Sequence, residues 1–300
     1  LYTIYIVLTA AEAVALRIAG MSWFDAVNHA FTTMATGGFS VRNTSIASYQ
    51  SDAITWVIVV FTFLAGINFS LLYAVVRGRI KDALRSEELR WYLLILAITI
   101  GLICVDLHVE LGQGWYESAK DAAFQATTIM STTGYATKDF TLWPTFSRCI
   151  LVLLMYVGGC AGSTAGGMKV SRLMLQVKSL RRELDHIIHP NRVSVITMDG
   201  QSVDEKAVTS AHMFQVAYLL ILMAGTLVVS LDVLGFTESF VASLTCISNV
   251  GPSLGTLGPM ANFAPLSWFS KLVLALIMLM GRLELMPLLV LLSPSTWRNK

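Results

Sequence analysis

The strongest constraint on this chain is a set of six stretches that stay apolar for about as long as a helix needs to cross a bilayer, roughly 20 residues. They are the opening run LYTIYIVLTAAEAVAL, then 52–76, 91–108, 144–168, 211–234 and 266–292. A soluble domain has no use for so many. Hydrophobic residues make up 55% of the 300 and charged residues only 13%, and the mean hydropathy is +0.66, so the expected solvent is a bilayer and the expected fold is all-α. Membrane lipid is the first expected partner. A formal net charge of +2 leaves no basic surplus of the size that nucleic-acid binding calls for.

The links between the apolar stretches alternate in kind. Those at 77–90 and 169–210 carry Arg77, Arg79, Lys81, Arg85, Arg90, Lys169, Arg172, Lys178, Arg181, Arg182, Arg192 and Lys206, and the tail adds Arg298 and Lys300. The positive-inside rule predicts that these links and the C-terminus are cytoplasmic. The remaining links are rich in Gly, Ser and Thr, with acidic residues Asp25, Asp106, Glu110, Glu117, Asp121, Asp139, Asp232 and Glu238. Facing outward, they are expected to give cations a negative vestibule.

Those outward links repeat. DAVNHAFTTMATGGFS (25–40), DAAFQATTIMSTTGYA (121–136) and ESFVASLTCISNVGPS (238–253) align on Gly38, Gly134 and Gly251. An acidic residue (Asp25, Asp121, Glu238) stands 13 positions before each glycine, and a threonine (Thr32, Thr128, Thr245) stands 6 before it. The predicted unit is a spanning helix, a half-helix, a glycine turn and a second spanning helix. Three units follow, at 1–85, 86–190 and 211–300, with 191–210 as a cytoplasmic link. Leu1 falls inside an apolar run without an initiating Met, a basic n-region or a cleavage site, so a fragment cut at its N-terminus is expected.

Each half-helix would begin at its acidic residue, at the positive end of the macrodipole, and point its partially negative C-terminus at the turn. Irregular backbone at membrane depth is tolerated where protein buries it or where it lines a watery cavity. Turns of this kind can replace the hydration shell of a cation with backbone carbonyls. The candidate filter residues are Thr36, Gly37 and Gly38, then Thr132, Thr133 and Gly134, then Asn249, Val250 and Gly251. No carboxylate is among them, which argues against a hard divalent ion and for a monovalent one.

Two further oddities lie in the apolar stretches. The helix predicted over 144–176 is interrupted by GGCAGSTAGG at 158–167, and each Gly in a helix interior costs about 1 kcal/mol relative to Ala. Arg282 lies well inside the last stretch, where an unpaired charge costs about 2.5 to 3.5 kcal/mol. It should face the pore or a partner. Glu284, two positions away, would not share its helix face.

At ATGGFS (35–40), STTGYATKDF (131–140), GGCAGSTAGGMKVSRL (158–173), SNVGPSLG (248–255) and GRLE (281–284) the chain resembles the Trk/Ktr/HKT superfamily of K⁺ transporters, and within it the bacterial Trk-type membrane subunit. The resemblance runs along essentially the whole chain. It implies four tandem repeats around one pseudo-fourfold cation pore, so the first repeat would precede Leu1 and the three seen here would be the second, third and fourth. It implies K⁺ as the transported ion, bound by filter carbonyls, and no organic cofactor. It makes Gly158, Gly159, Gly162, Ser163, Thr164, Gly166 and Gly167 an intramembrane gate loop beneath the filter, with Arg282 beside it. A homodimer in the bacterial inner membrane and a cytoplasmic nucleotide-binding, TrkA-like regulatory subunit are also implied; the link from Lys169 to Arg192 is long and polar enough to dock such a partner.

Other readings compete. An ion-coupled secondary transporter with alternating access, a K⁺/H⁺ or K⁺/Na⁺ symporter, also uses broken helices and repeats, but its repeats are commonly inverted whereas these run in one direction. A serine hydrolase built on Ser163 needs a base within reach, and His29, His108 and His212 lie apart, so no enzyme is expected. Cys104, Cys149, Cys160 and Cys246 read as packing residues, and Asn68 as an interhelical hydrogen-bonding residue. The tryptophans fall near the expected interfaces.

Overall fold

In a computed structural model, which describes residues 2–191, 194–232, 234–283 and 285–292, one unit is laid down three times. The first comprises α1 (Tyr2–Ile18), the half-helix α2 (Trp23–Met34), and α3 (Asp52–Ala65) with α4 (Phe69–Val76). A short α5 (Ile80–Arg85) leads to α6 (Glu87–Leu111), the half-helix α7 (Trp115–Met130), α8 (Thr145–Val157) and α9 (Val170–Ile188). After a small hairpin, β1 (Thr197–Met198) and β2 (Gln201–Ser202), come α10 (Glu205–Val229), the half-helix α11 (Phe236–Ser248), α12 (Trp268–Arg282) and α13 (Leu285–Leu292). At 1.5 Å per residue, α6 and α10, each of 25 residues, are long enough to cross a bilayer. The chain is an all-α membrane protein.

Each unit folds its half-helix back between its two long helices. The second long helix then packs against the next unit's half-helix: α3 on α7, and α8 on α11. This handing-on turns a linear repeat into a curved array. α12 has no following half-helix among the described elements, and it exposes Trp268, Phe269, Leu272, Leu276 and Leu279. At the other end of the array, α2 exposes Trp23, Phe24, Val27 and Phe31. The middle half-helix differs: α7 is buried without interruption from Asp121 to Met130. Its small and hydroxylated residues let neighbouring backbones approach, and its Thr127 hydroxyl returns to the Ala123 carbonyl at 2.5 Å.

Three expected spans are broken. The 52–76 stretch bends by 104° between α3 and α4. Asn68 sits at that bend as the N-cap of α4, its side chain accepting from the Ser70 amide at 2.8 Å. It is therefore a helix cap, where an interhelical hydrogen bond was expected. The third unit breaks after Arg282, which closes α12 and does not sit mid-helix; Glu284 lies outside the described residues. The second unit breaks at the expected glycine segment. The 191–210 link is also more ordered than a plain connection: Thr197 pairs with Ser202 and Met198 with Gln201, and α10 already begins at Glu205.

The connections near the half-helix N-termini hold the units in register. Asp232 accepts from the Ser267 amide at 3.0 Å. Asp106, on α6, accepts from the Ser147 amide at 3.1 Å and the Ser147 hydroxyl at 2.5 Å. Pro144, the N-cap of α8, offers no side-chain cap, so a neighbouring helix supplies it. Loss of a helix cap costs about 1 kcal/mol. Asp106→Ala should therefore lower the thermal unfolding midpoint in detergent; an unchanged midpoint would mean that this cap contributes nothing.

Candidate functional site

All three half-helices end in the same turn, and the threonine six positions before the glycine builds it. The carbonyl of Thr32 accepts from the Gly37 amide at 2.7 Å, that of Thr128 from Thr133 at 2.8 Å, and that of Thr245 from Val250 at 2.9 Å. The residue before each donor lies in the left-handed region: Thr36 at φ 51°, Thr132 at φ 57° and Asn249 at φ 57°. A six-to-one bond closed over one left-handed residue is the Schellman helix terminus. In two turns the same threonine also holds the far side, its hydroxyl donating to the Phe39 carbonyl at 2.8 Å or the Tyr135 carbonyl at 3.2 Å.

The acidic residue thirteen positions before the glycine does more than face the helix dipole. Asp25 receives Arg42 at 3.2 Å and the Tyr49 hydroxyl at 2.9 Å. Asp121 receives Lys138 at 2.6 Å. Glu238 accepts from the Thr256 amide at 2.8 Å. Arg42 and Lys138 both stand four residues after their glycine, so an acidic residue of the half-helix, in the first turn of α2 and one turn further along in α7, grips the chain leaving the turn. That common offset was readable in the sequence and was missed.

Successive turns meet through their glycines. Gly38 has φ 66° and Gly134 φ 79°, conformations that L side chains rarely adopt. A Cβ on Gly38 would run into the Thr133 carbonyl oxygen, and one on Gly134 into the Val250 carbonyl oxygen. Gly251, at φ 106°, faces open space. Residues 36–38, 133–134 and 249–251 share the wall of one cavity of about 950 Å³, together with Phe31, Met278 and Arg282. No carboxylate is among its described lining residues, while Arg42 and Arg282 are. Asp25, Asp121 and Glu238 do not line this cavity and are engaged in holding the turns.

The glycine-rich segment passes directly beneath the turns. Thr164 is its central contact: its carbonyl accepts from the Thr36 hydroxyl at 2.8 Å and from Arg282 Nη1 at 2.9 Å, and its hydroxyl donates to the Met34 carbonyl at 2.9 Å. Arg282 Nη2 donates to the Ala35 carbonyl at 3.2 Å. The Gly166 amide donates to the Thr132 hydroxyl at 2.6 Å. A second cavity, of about 470 Å³, lies against residues 161–167, and Arg282 lines this one as well. Gly158 and Gly159 pack at the segment's first end, where the Gly159 carbonyl accepts from the Val170 amide at 3.0 Å. Gly162 and Gly167 complete the loop.

The structure therefore brings the three triplets, the loop and Arg282 to one place. It also gives Thr36 and Thr132 an unexpected task, since their hydroxyls hold the loop. Ser163 donates to the Cys160 carbonyl at 2.6 Å. His29 is bonded to Asp25 and Ser40, His108 to Gln113 and His212 to Ser179. None of these is a base for Ser163. Glu88, for which the sequence carries no signal, supplies a further contact to the loop.

The profile of the TrkH family, described as "Cation transport protein", matches residues 1–299. The chain is 34% identical over 304 residues to the Trk system potassium uptake protein TrkH of Salmonella typhimurium, covering 100% of this chain and 62% of that protein. It is 36% identical over 307 residues to the protein of the same name from Vibrio parahaemolyticus, again covering 100% of this chain and 62% of the other. The crystal structure of the potassium transporter TrkH from Vibrio parahaemolyticus superposes with a TM-score of 0.92 at 34% identity, over 99% of this chain and 64% of that one. The chain thus spans somewhat under two thirds of the length of these relatives. It belongs to the TrkH family of cation transport proteins.

Proposed function

We propose that this chain forms three quarters of a K⁺ uptake pore of the bacterial cytoplasmic membrane, with its basic links and C-terminus inside. One observation carries the reading: three turns of the same register and the same left-handed geometry border one cavity whose described lining holds no carboxylate. A neutral cage of carbonyls suits a weakly hydrated monovalent ion. The open face at Gly251 and the exposed flanks of α2 and α12 fit a fourth turn supplied from outside these 300 residues. The relatives carry potassium uptake in their names, which supports the choice of ion.

A continuous pore is favoured over alternating access because the three units run in the same direction around one axis and pack in sequence. Unitary current steps from the full-length protein in planar bilayers would support the pore; transport strictly coupled to H⁺ or Na⁺ without unitary steps would support the symporter. A homodimer is carried over from the family resemblance, and the mass of the solubilised particle tests it.

The basic face of α9 is the proposed contact for a cytoplasmic nucleotide-binding subunit. Lys178 and Arg182 already pair with Glu87 and Glu205, and Arg192 lies outside the described residues, so exposed Arg181, with exposed Leu184 and Ile187 nearby, is the better probe. Arg181→Glu should reduce co-purification of the subunit; undiminished capture would assign this face to lipid headgroups.

For the filter, Gly134→Ser in the full-length protein should lower K⁺ over Na⁺ discrimination at least tenfold, because the added Cβ collides with a backbone carbonyl. Ion-flux ratios read this directly. Unchanged ratios for this variant and for Gly38→Ser would remove the filter assignment.

For the gate, the loop and Arg282 act as one barrier: charge-assisted bonds from Arg282 to the Thr164 and Ala35 carbonyls hold the loop across the pore. Shortening the loop and Arg282→Ala should each raise basal flux. Since both remove the same barrier, their effects should not add. Additive effects would separate Arg282 from the gate.

A further inference from the structure

Glu88 stands in the first turn of α6 and is only 8% exposed. One carboxyl oxygen, Oε1, accepts from the Ala161 amide at 2.6 Å and from the Ser171 amide at 3.2 Å. One donor lies in the loop's first limb and the other just beyond its end. Ala161 precedes the Thr164 contact, and Ser171 lies in the first turn of α9.

Both amides need this acceptor. The first amides of a helix have no partner within it, and Lys169, the N-cap of α9, has no side-chain cap bond and a φ of 74°. Glu88 therefore acts as the missing cap from another helix, at the positive end of the α9 dipole. The same oxygen pins the loop's first limb. That limb is further stitched to the α3–α4 bend by Cys160 N to Gly66 O at 2.9 Å and Phe69 N to Gly162 O at 3.1 Å. Next to Glu88, Glu87 pairs with Lys178 of α9, and its amide donates to Asp199 at 2.6 Å. The start of α6 is thus the place where α9, the hairpin link and the loop meet.

We propose that Glu88 is the positioning residue that couples α9 to the gate loop. While its oxygen holds both amides, α9 and the loop's first limb are tied to one fixed point on α6, and the tip stays bonded to Arg282 and Thr36. A displacement of α9 pulls Ser171 from that oxygen and loosens Ala161 with it. A partner docked on the exposed face of α9 then reaches the pore through one carboxyl oxygen. This inference rests on the gate reading above and adds its mechanical connection. What Glu88 supplies is an acceptor in a fixed position, so a glutamine, which keeps a carbonyl oxygen there, should serve nearly as well.

Single-channel recording of the full-length protein in symmetrical K⁺ tests it. Glu88→Ala should raise the basal open probability roughly five- to thirtyfold, the effect of losing one to two hydrogen bonds. Unitary current and the K⁺ over Na⁺ ratio should not change, and Glu88→Gln should stay within about twofold of the parent protein. If Glu88→Ala fails to assemble, Ser171→Pro removes both the amide and the side-chain donor of Ser171 to Glu88 at a first-turn position that tolerates proline and should raise the open probability about five- to thirtyfold. A loop-shortened protein recorded alongside separates the two readings. If that protein opens and neither Glu88→Ala nor Ser171→Pro does, the coupling is wrong and the gate stands. If none of the three opens, the gate reading falls and the coupling falls with it. A changed unitary current or ion ratio in Glu88→Ala would place Glu88 on the filter and overturn the proposal.

Discussion

Backbone that leaves a helix inside a bilayer has no water to bond, so its amides and carbonyls must find partners in the protein. Here the irregular segments satisfy one another. The turns after α2, α7 and α11 close on threonine carbonyls of their own half-helices, and the glycine segment between α8 and α9 bonds to two of those turns, to the α3–α4 bend and to α6. No one break could persist without the rest. That mutual dependence explains why the three turns and the glycine segment gather at one place and do not scatter along the chain.

The same accounting explains an otherwise costly feature. Thr36 and Thr132 are β-branched yet sit at φ 51° and 57°, a conformation that costs about 1 to 3 kcal/mol per residue and survives only when its surroundings over-determine it. Each is held by a six-to-one backbone bond above it and by a hydroxyl contact to the loop below it. Asn249, in the third turn, needs less support because asparagine tolerates the left-handed region. Turns and loop are therefore mechanically continuous, and a change in the loop bears on the turns proposed to bind the ion.

Much of this was legible in the sequence. The spacing of acid, threonine and glycine located all three half-helices and turns, because the same closure has to be built each time from the same atoms. The glycine segment announced its break. Less legible were the bends at Gly66–Asn68 and after Arg282, since an apolar run looks the same whether its helix is straight or bent. The roles of Asp25 and Asp121 were only half legible: Asp25 lies in the first turn of α2, where it suits the dipole, but α7 begins at Trp115 and places Asp121 as its seventh residue, not at its start as expected, and the pairing of both with Arg42 and Lys138 depends on where the chain goes after the turn. Glu88 could not be found at all, because its partners are backbone amides, which every residue has.

The most direct test of the central claim is to locate the ion. A structure of the full-length protein determined in Rb⁺, with the anomalous signal used to place it, should show density on the axis between the three turns, coordinated by backbone oxygens of residues 36–38, 132–134 and 249–251. Density bound instead at side-chain carboxylates, or absent from between the turns at saturating Rb⁺, would contradict it.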